Sequence, residues 1–200
     1  AAEAEAFRAQ MLTEMVRMSL DDGLVVQLHP GSHRNHDGPS FDRFGADIGA
    51  DIPTRTDYVK ALGPLLERFG NEPALRLVVF TLDETTYARE LAPLAGYYPI
   101  LTLGAPWWFH DSPDGMRRFR TDTTATAGFA NTAGFTDDTR ALLSIPARHD
   151  VARRVDCGYL AGLVAEHRLD EEVAAELAVA LTYGQPRAVY RVADSRFSVT

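Results

Sequence analysis

Apolar residues recur along this chain in two rhythms, and the switches between them divide it into helix and strand units. Phe7, Met11, Met15 and Met18 fall at helical spacing and stop at Asp21-Asp22-Gly23, which predicts an amphipathic helix with its methionine stripe in the core. Residues 24–28, apolar except for Gln27, are read as a buried strand that leads to His29. Residues 30–54 are rich in Gly, Asp, His and Asn and read as one long loop. Thr56 is placed to cap a helix with Leu62, Leu65, Leu66 and Phe69 inward and Gly70 at its end. Further strands are expected at 75–81, 98–103 and, more briefly, 133–135. Helices are expected at 84–94, from Ser112-Pro113, from Pro146 to about His167, and from Asp170 to Tyr183. The tail from Gln185 has no clear pattern, and no internal repeat or low-complexity linker interrupts the chain.

Strand and helix alternate, so the strands should be parallel with crossover helices between them. An open doubly wound sheet fits that order, but no G-x-G-x-x-G or Walker-type phosphate fingerprint follows any strand. Each strand ends instead in polar or aromatic residues: His29, Asp83, Trp107-Trp108 and Asp137-Asp138 with Arg140. Chemistry spread over four strand ends favours the mouth of a (β/α)8 barrel. With four strand-helix units, the fold class expected is the C-terminal half of such a barrel, strands five to eight with their helices. The 200 residues then form a single partial domain.

Composition narrows the partners. The hydrophobic share of 46% and charged share of 24% are those of an ordinary globular protein. A net charge of −8 argues against nucleic acid, whose phosphates need a basic surface. No apolar run approaches the roughly 20 residues of a membrane span, and with no signal peptide the cytoplasm is the default expectation. The chain opens in mid-helix character without Met, as though cut from something longer. The single cysteine, Cys157, reads as a small buried residue rather than a nucleophile.

Several side chains carry possible chemistry. His29, His33 and His36 are spaced H-x3-H-x2-H, but Pro30-Gly31 argues against the helix such a metal site would need. His29 alone lies where a strand leaves the sheet, where imidazole can bind a metal, move a proton or sit satisfied in a core. Of the adjacent Trp107 and Trp108, at least one can line a pocket and stack on a sugar ring, or both can pack on helices. Asp138 can bind a divalent cation or take a proton, and Arg140 can grip a carboxylate in bidentate fashion; a surface ion pair is the plain alternative. Asp47, Gly49 and Asp51 can form a turn lattice or order a site. Arg148-His149-Asp150 with Arg153-Arg154 reads as a solvated helix face.

Taken together, these segments resemble the C-terminal part of the uronate (glucuronate) isomerases, a branch of the amidohydrolase superfamily. The resemblance rests on Gln27-Leu28-His29 with Arg34-Asn35, on residues 45–53, on the W-W-F-x-D-x-x-x-G-M pattern within 104–116, on the D-x-R of 135–140, and on S-x-x-x-R-H-x-x-x-R-R at 144–154. It reaches from about residue 24 to 185. His33, His36 and Ala46 depart from the family's usual residues. The resemblance implies reversible isomerisation of D-glucuronate to D-fructuronate, and of D-galacturonate to D-tagaturonate. It makes Asp138 a catalytic, metal-ligating acid and His29 a catalytic residue facing substrate. Arg140, Arg34, Trp107 and Trp108 become substrate-binding residues. Zinc is the divalent metal implied, and the remaining ligands, an H-x-H pair absent here, are expected in an N-terminal half. The chain alone would then be inactive, and the full-length protein could be a homo-oligomer. A superfamily hydrolase of different specificity and a non-catalytic sugar-acid-binding half-barrel are the other readings.

Overall fold

The computed structural model describes residues 2–139 and 141–192. It is an α/β domain with one parallel and one antiparallel sheet. Helix α1 (Ala2–Asp21) leads into strand β1 (Val25–Leu28), followed by β2 (Ser32–His33), α2 (Gly38–Phe44) and β3 (Ile52–Pro53). Then come α3 (Tyr58–Phe69), β4 (Arg76–Val79), a π-helical turn at Tyr87–Leu91 continuing into α4 (Ala92–Tyr97), and β5 (Leu101–Leu103). The remainder is helical: α5 (Pro113–Ala127), α6 (Ile145–Ala165), α7 (Glu171–Val179) and α8 (Gln185–Val189). Among the described residues no helix is long and apolar enough to cross a membrane.

The main sheet has the order β1-β4-β5, all parallel, with Val26 opposite Leu77 and Leu77 opposite Leu101. Strand periodicity sorts its faces. Leu77 and Val79 join Val26, Leu101 and Leu103 in the large core against α3 and α4. On the opposite face, Val78 and Phe80 pack with Ala133, Val189, Val25 and Trp107. Gln27 and His29 continue the alternation begun by Val25, so β1 carries this second face to its C-terminal end.

The expected fourth strand shrinks to one parallel bridge, Leu103 to Thr132, with Ala133 N–H donating to Leu103 O at 2.8 Å. Gly134 explains why it stops there. Its φ of +72° leaves the extended region, and a Cβ would stand 2.5 Å from Leu181 O. A closed eight-stranded barrel is therefore not formed by the described residues. Nearby, Arg120 of α5 makes a bidentate pair with Asp156 of α6 and donates to Thr132 Oγ1, tying the bridge to both helices.

Other expectations are corrected by packing. Asp57, not Thr56, caps α3, accepting from Lys60 N–H at 3.0 Å, and the buried Glu90 accepts from Tyr58 and Val59 N–H of the same first turn. The long loop is a folded excursion: β2 and β3 pair antiparallel across α2, and Ser32 Oγ donates to Asp51. The tail from Gln185 turns into α8. Most plainly, the α1 stripe is not core, since Phe7, Met11, Met15 and Met18 are 64%, 46%, 56% and 54% exposed. Among its described side chains only Val16 is fully buried, with Leu12 and Leu20 packed partly against the core. Cys157, expected to be buried, is exposed on α6.

Candidate active site

A two-lobed cleft opens beyond the carboxyl ends of the parallel strands. One lobe, about 390 Å³, is lined by Gln27, His29, Phe80, Trp107 and Tyr190 together with Asp111, Asp137 and Asp138. The other, about 490 Å³, is bounded by Arg34, Asp47, Asp51, Trp108 and Arg148. Trp107, Asp111 and Asp138 line both, so they form the partition between the lobes. Each lobe lies within the roughly 300–1,000 Å³ usual for small-molecule sites.

The walls follow from the elements beneath them. His29 leaves β1 and stacks on Phe80, at the end of β4, with centroids 4.2 Å apart. Trp107 meets the same imidazole edge-on at 4.9 Å. Burial lowers the pKa of His29 while the charge of Asp138 opposes that shift, so a neutral, proton-accepting imidazole is favoured at neutral pH. Trp108 is held at φ +54°, a left-handed conformation that costs a bulky residue about 1–3 kcal/mol. It stacks on Phe109 and lies 5.2 Å beneath the Arg34 guanidinium. Arg34 in turn donates to Asp47 at 2.7 Å, so the excursion after β1 does order one lobe.

Asp137, beside Asp138, has a side chain only 2% exposed and accepts from Arg148 Nε at 2.7 Å. Burial raises its pKa, with His149 pulling it down and Asp138 adding to the rise. Arg148 also donates to Asp111. Asp111 Oδ1 and Asp137 Oδ2 are buried without hydrogen-bond partners, spare acceptor capacity in the cleft wall.

Of the residues singled out from sequence, His29, Arg34, Asp47, Gly49, Asp51, Trp107, Trp108 and Asp138 meet here. Arg140 lies outside the described residues. His33 and His36 stack on each other at 5.8 Å and line neither lobe. Arg148, read as part of a solvated face, is a correction: it turns inward onto two aspartates, while Arg153 and Arg154 do pair with Asp150 at the surface. Asp111, Phe80, Gln27 and Tyr190 were given no role in the site, and Asp137 was named only as a strand-end acid. Asp137 was legible as the neighbour of Asp138; the rest become neighbours only through the sheet. For a divalent cation the fit is incomplete. No group of three His, Cys, Asp or Glu able to hold a metal occurs among the described residues, so Asp138 would need ligands from elsewhere.

Polar chemistry gathered outside the carboxyl ends of parallel strands is where α/β domains place their ligand sites. The family model described as glucuronate isomerase matches residues 1–190. The chain is 71% identical over 191 residues to a uronate isomerase of Phenylobacterium zucineum and 70% identical over 192 to one of Rhizorhabdus wittichii. Each alignment covers 96% of this chain, but only 40% and 41% of those relatives. The crystal structure of glucuronate isomerase from Caulobacter crescentus superposes with a TM-score of 0.91 at 67% identity, covering 94% of this chain and 39% of that one. The uronate isomerase of Thermotoga maritima does so at 0.84 and 30%, covering 90% and 40%. The chain belongs to the glucuronate isomerase family, and spans about two-fifths of the length of these relatives.

Proposed function

We propose that this chain supplies the substrate-binding and proton-moving wall of a uronate isomerase that interconverts D-glucuronate and D-fructuronate, and D-galacturonate and D-tagaturonate. The observation that carries the reading is the meeting of His29, Trp107 and Asp138 around one sugar-sized lobe. Four successive parallel positions with helices on one face and the cleft beyond them support a further reading, that the sheet is strands five to eight of a (β/α)8 barrel.

Aldose–ketose isomerisation moves a proton between C2 and C1 of the open-chain sugar. Asp138 and the neutral imidazole of His29 are assigned to take and return protons at hydroxyl or carbon, a role that the lowered pKa of His29 supports. Trp107 offers an aromatic face to the sugar, and Arg34, with Arg140, is assigned to the substrate carboxylate. A divalent cation such as zinc, if the complete enzyme holds one, would polarise the carbonyl oxygens. The described residues alone do not assemble its site.

The test is a graft. This chain replaces the matching segment of the Caulobacter crescentus enzyme, and ketose formation from glucuronate is followed. Turnover should persist, and Asp138→Asn should lower kcat by about 100-fold or more. A correctly folded graft without turnover, or one indifferent to Asp138→Asn, would sink the reading.

A further inference from the structure

We infer that Arg148 is a positioning residue that locks the two loops of the cleft into one register. Its kinetic consequence rests on the isomerase reading; its structural consequence does not. Arg148 projects from the first turn of α6 and reaches two loops that are distant in sequence. Its Nε donates to Asp137, next to Asp138, and its Nη2 to Asp111, which ends the turn carrying Trp107 and Trp108. The two aspartate side chains are 2% and 16% exposed. Without a cation between them, two withdrawn carboxylates would repel and push the loops apart.

The chemistry requires an arginine. A guanidinium is a rigid planar fork that can serve two carboxylates at once, whereas lysine offers a single point charge on a flexible stem. The load on the tie is visible in Trp108, whose left-handed backbone persists only where its surroundings over-determine it. Asp111 anchors the C-terminal end of that turn, its N–H donating to Trp108 O. At the start of α5, Gly115 presses on the same turn so closely that a Cβ would meet His110 O at 2.1 Å. One guanidinium therefore sets where the indoles stand relative to Asp138.

Trp107 and Trp108 are the only tryptophans in the chain, so their emission reads this loop in the isolated protein. Arg148→Lys, and separately the isosteric Asp111→Asn, should shift the emission to longer wavelength and increase acrylamide quenching, while far-UV circular dichroism stays unchanged. Parent-like emission and quenching in both folded variants would overturn the inference. In the graft, Arg148→Lys should lower kcat about 100-fold with KM within about threefold, since a misplacement of about 1 Å costs that much. Added guanidinium ion, but not ammonium, should restore part of kcat to Arg148→Ala. A loss confined to KM would make Arg148 a direct substrate ligand and overturn the positioning role. Should the tryptophans respond while the unsubstituted graft is inactive, the loop lock stands and the isomerase reading fails.

Discussion

Helices α1 and α3 carry the same kind of apolar stripe and meet opposite fates. In α3 the stripe of Leu62, Leu65, Leu66 and Phe69 is buried against β4 and α4, and the helix start is held by Asp57 and Glu90. In α1 the stripe of Phe7, Met11, Met15 and Met18 faces outward, beside β1, which among the described residues pairs with β4 alone. Periodicity thus identifies an amphipathic helix but does not supply the surface that covers it. The cleft draws on both regions, since His29 leaves β1, beside α1, while Phe80 follows β4, against which α3 packs.

The contrast is testable, beginning with the largest expected effect. Arg120, 5% exposed between α5 and α6, should be the costliest surface-to-core tie to cut. Arg120→Ala leaves Asp156 without its bidentate partner and should lower unfolding free energy by about 3–5 kcal/mol in urea titration. If the loss is within error, the paired side is no better fixed than α1. Glu90→Ala exposes two first-turn N–H groups of α3 to an empty site and should cost about 1–3 kcal/mol by the same measurement; a neutral result would mean that Asp57 alone holds the helix start.

A smaller effect is expected from pH. His110 is buried, with Nε2 2.8 Å from Tyr87 OH and Nδ1 unpartnered. Burial lowers its pKa from the ordinary 6.5, with Glu84 opposing and Arg118 adding. The unfolded chain therefore binds its proton first as pH falls, so this part of the stability is present above about pH 6.5 and lost on descending through the depressed folded value. Stability measured from pH 7.5 downward should decline in the parent and decline less in His110→Gln; parallel curves would contradict the assignment. The smallest change should come from α1, where Met15→Ala should alter stability by no more than about 0.5 kcal/mol. A cost of several times that would show that the stripe is covered in solution.

How much was legible depended on range. His29, the tryptophan pair and Asp138 could be read because each lies within a few residues of an expected strand end, where α/β sheets place their chemistry. The family resemblance came from the same short segments together with residues 45–53 and 144–154. Arg148 was misread because its sequence neighbours, Asp150, Arg153 and Arg154, do form a solvated cluster; its own partners lie 11 and 37 residues back. Helix α8 was missed since Gln185-Pro186 gives no periodic signal. It forms where Gln185 Nε2 donates to the carbonyls of Phe129 and Ala130, and Val189 reaches the face of Val78 and Phe80.

By itself, the sequence determined the alternation of strand and helix, the residues at each strand's end and the family they signal, because these are local properties of backbone geometry and hydrophobic period. Only the tertiary structure decided which stripe became core, that the fourth strand stops at one bridge under Leu181, and that Arg148 turns inward to join two loops. Those outcomes depend on what lies across a contact, and a contact between distant residues leaves no mark at either position alone.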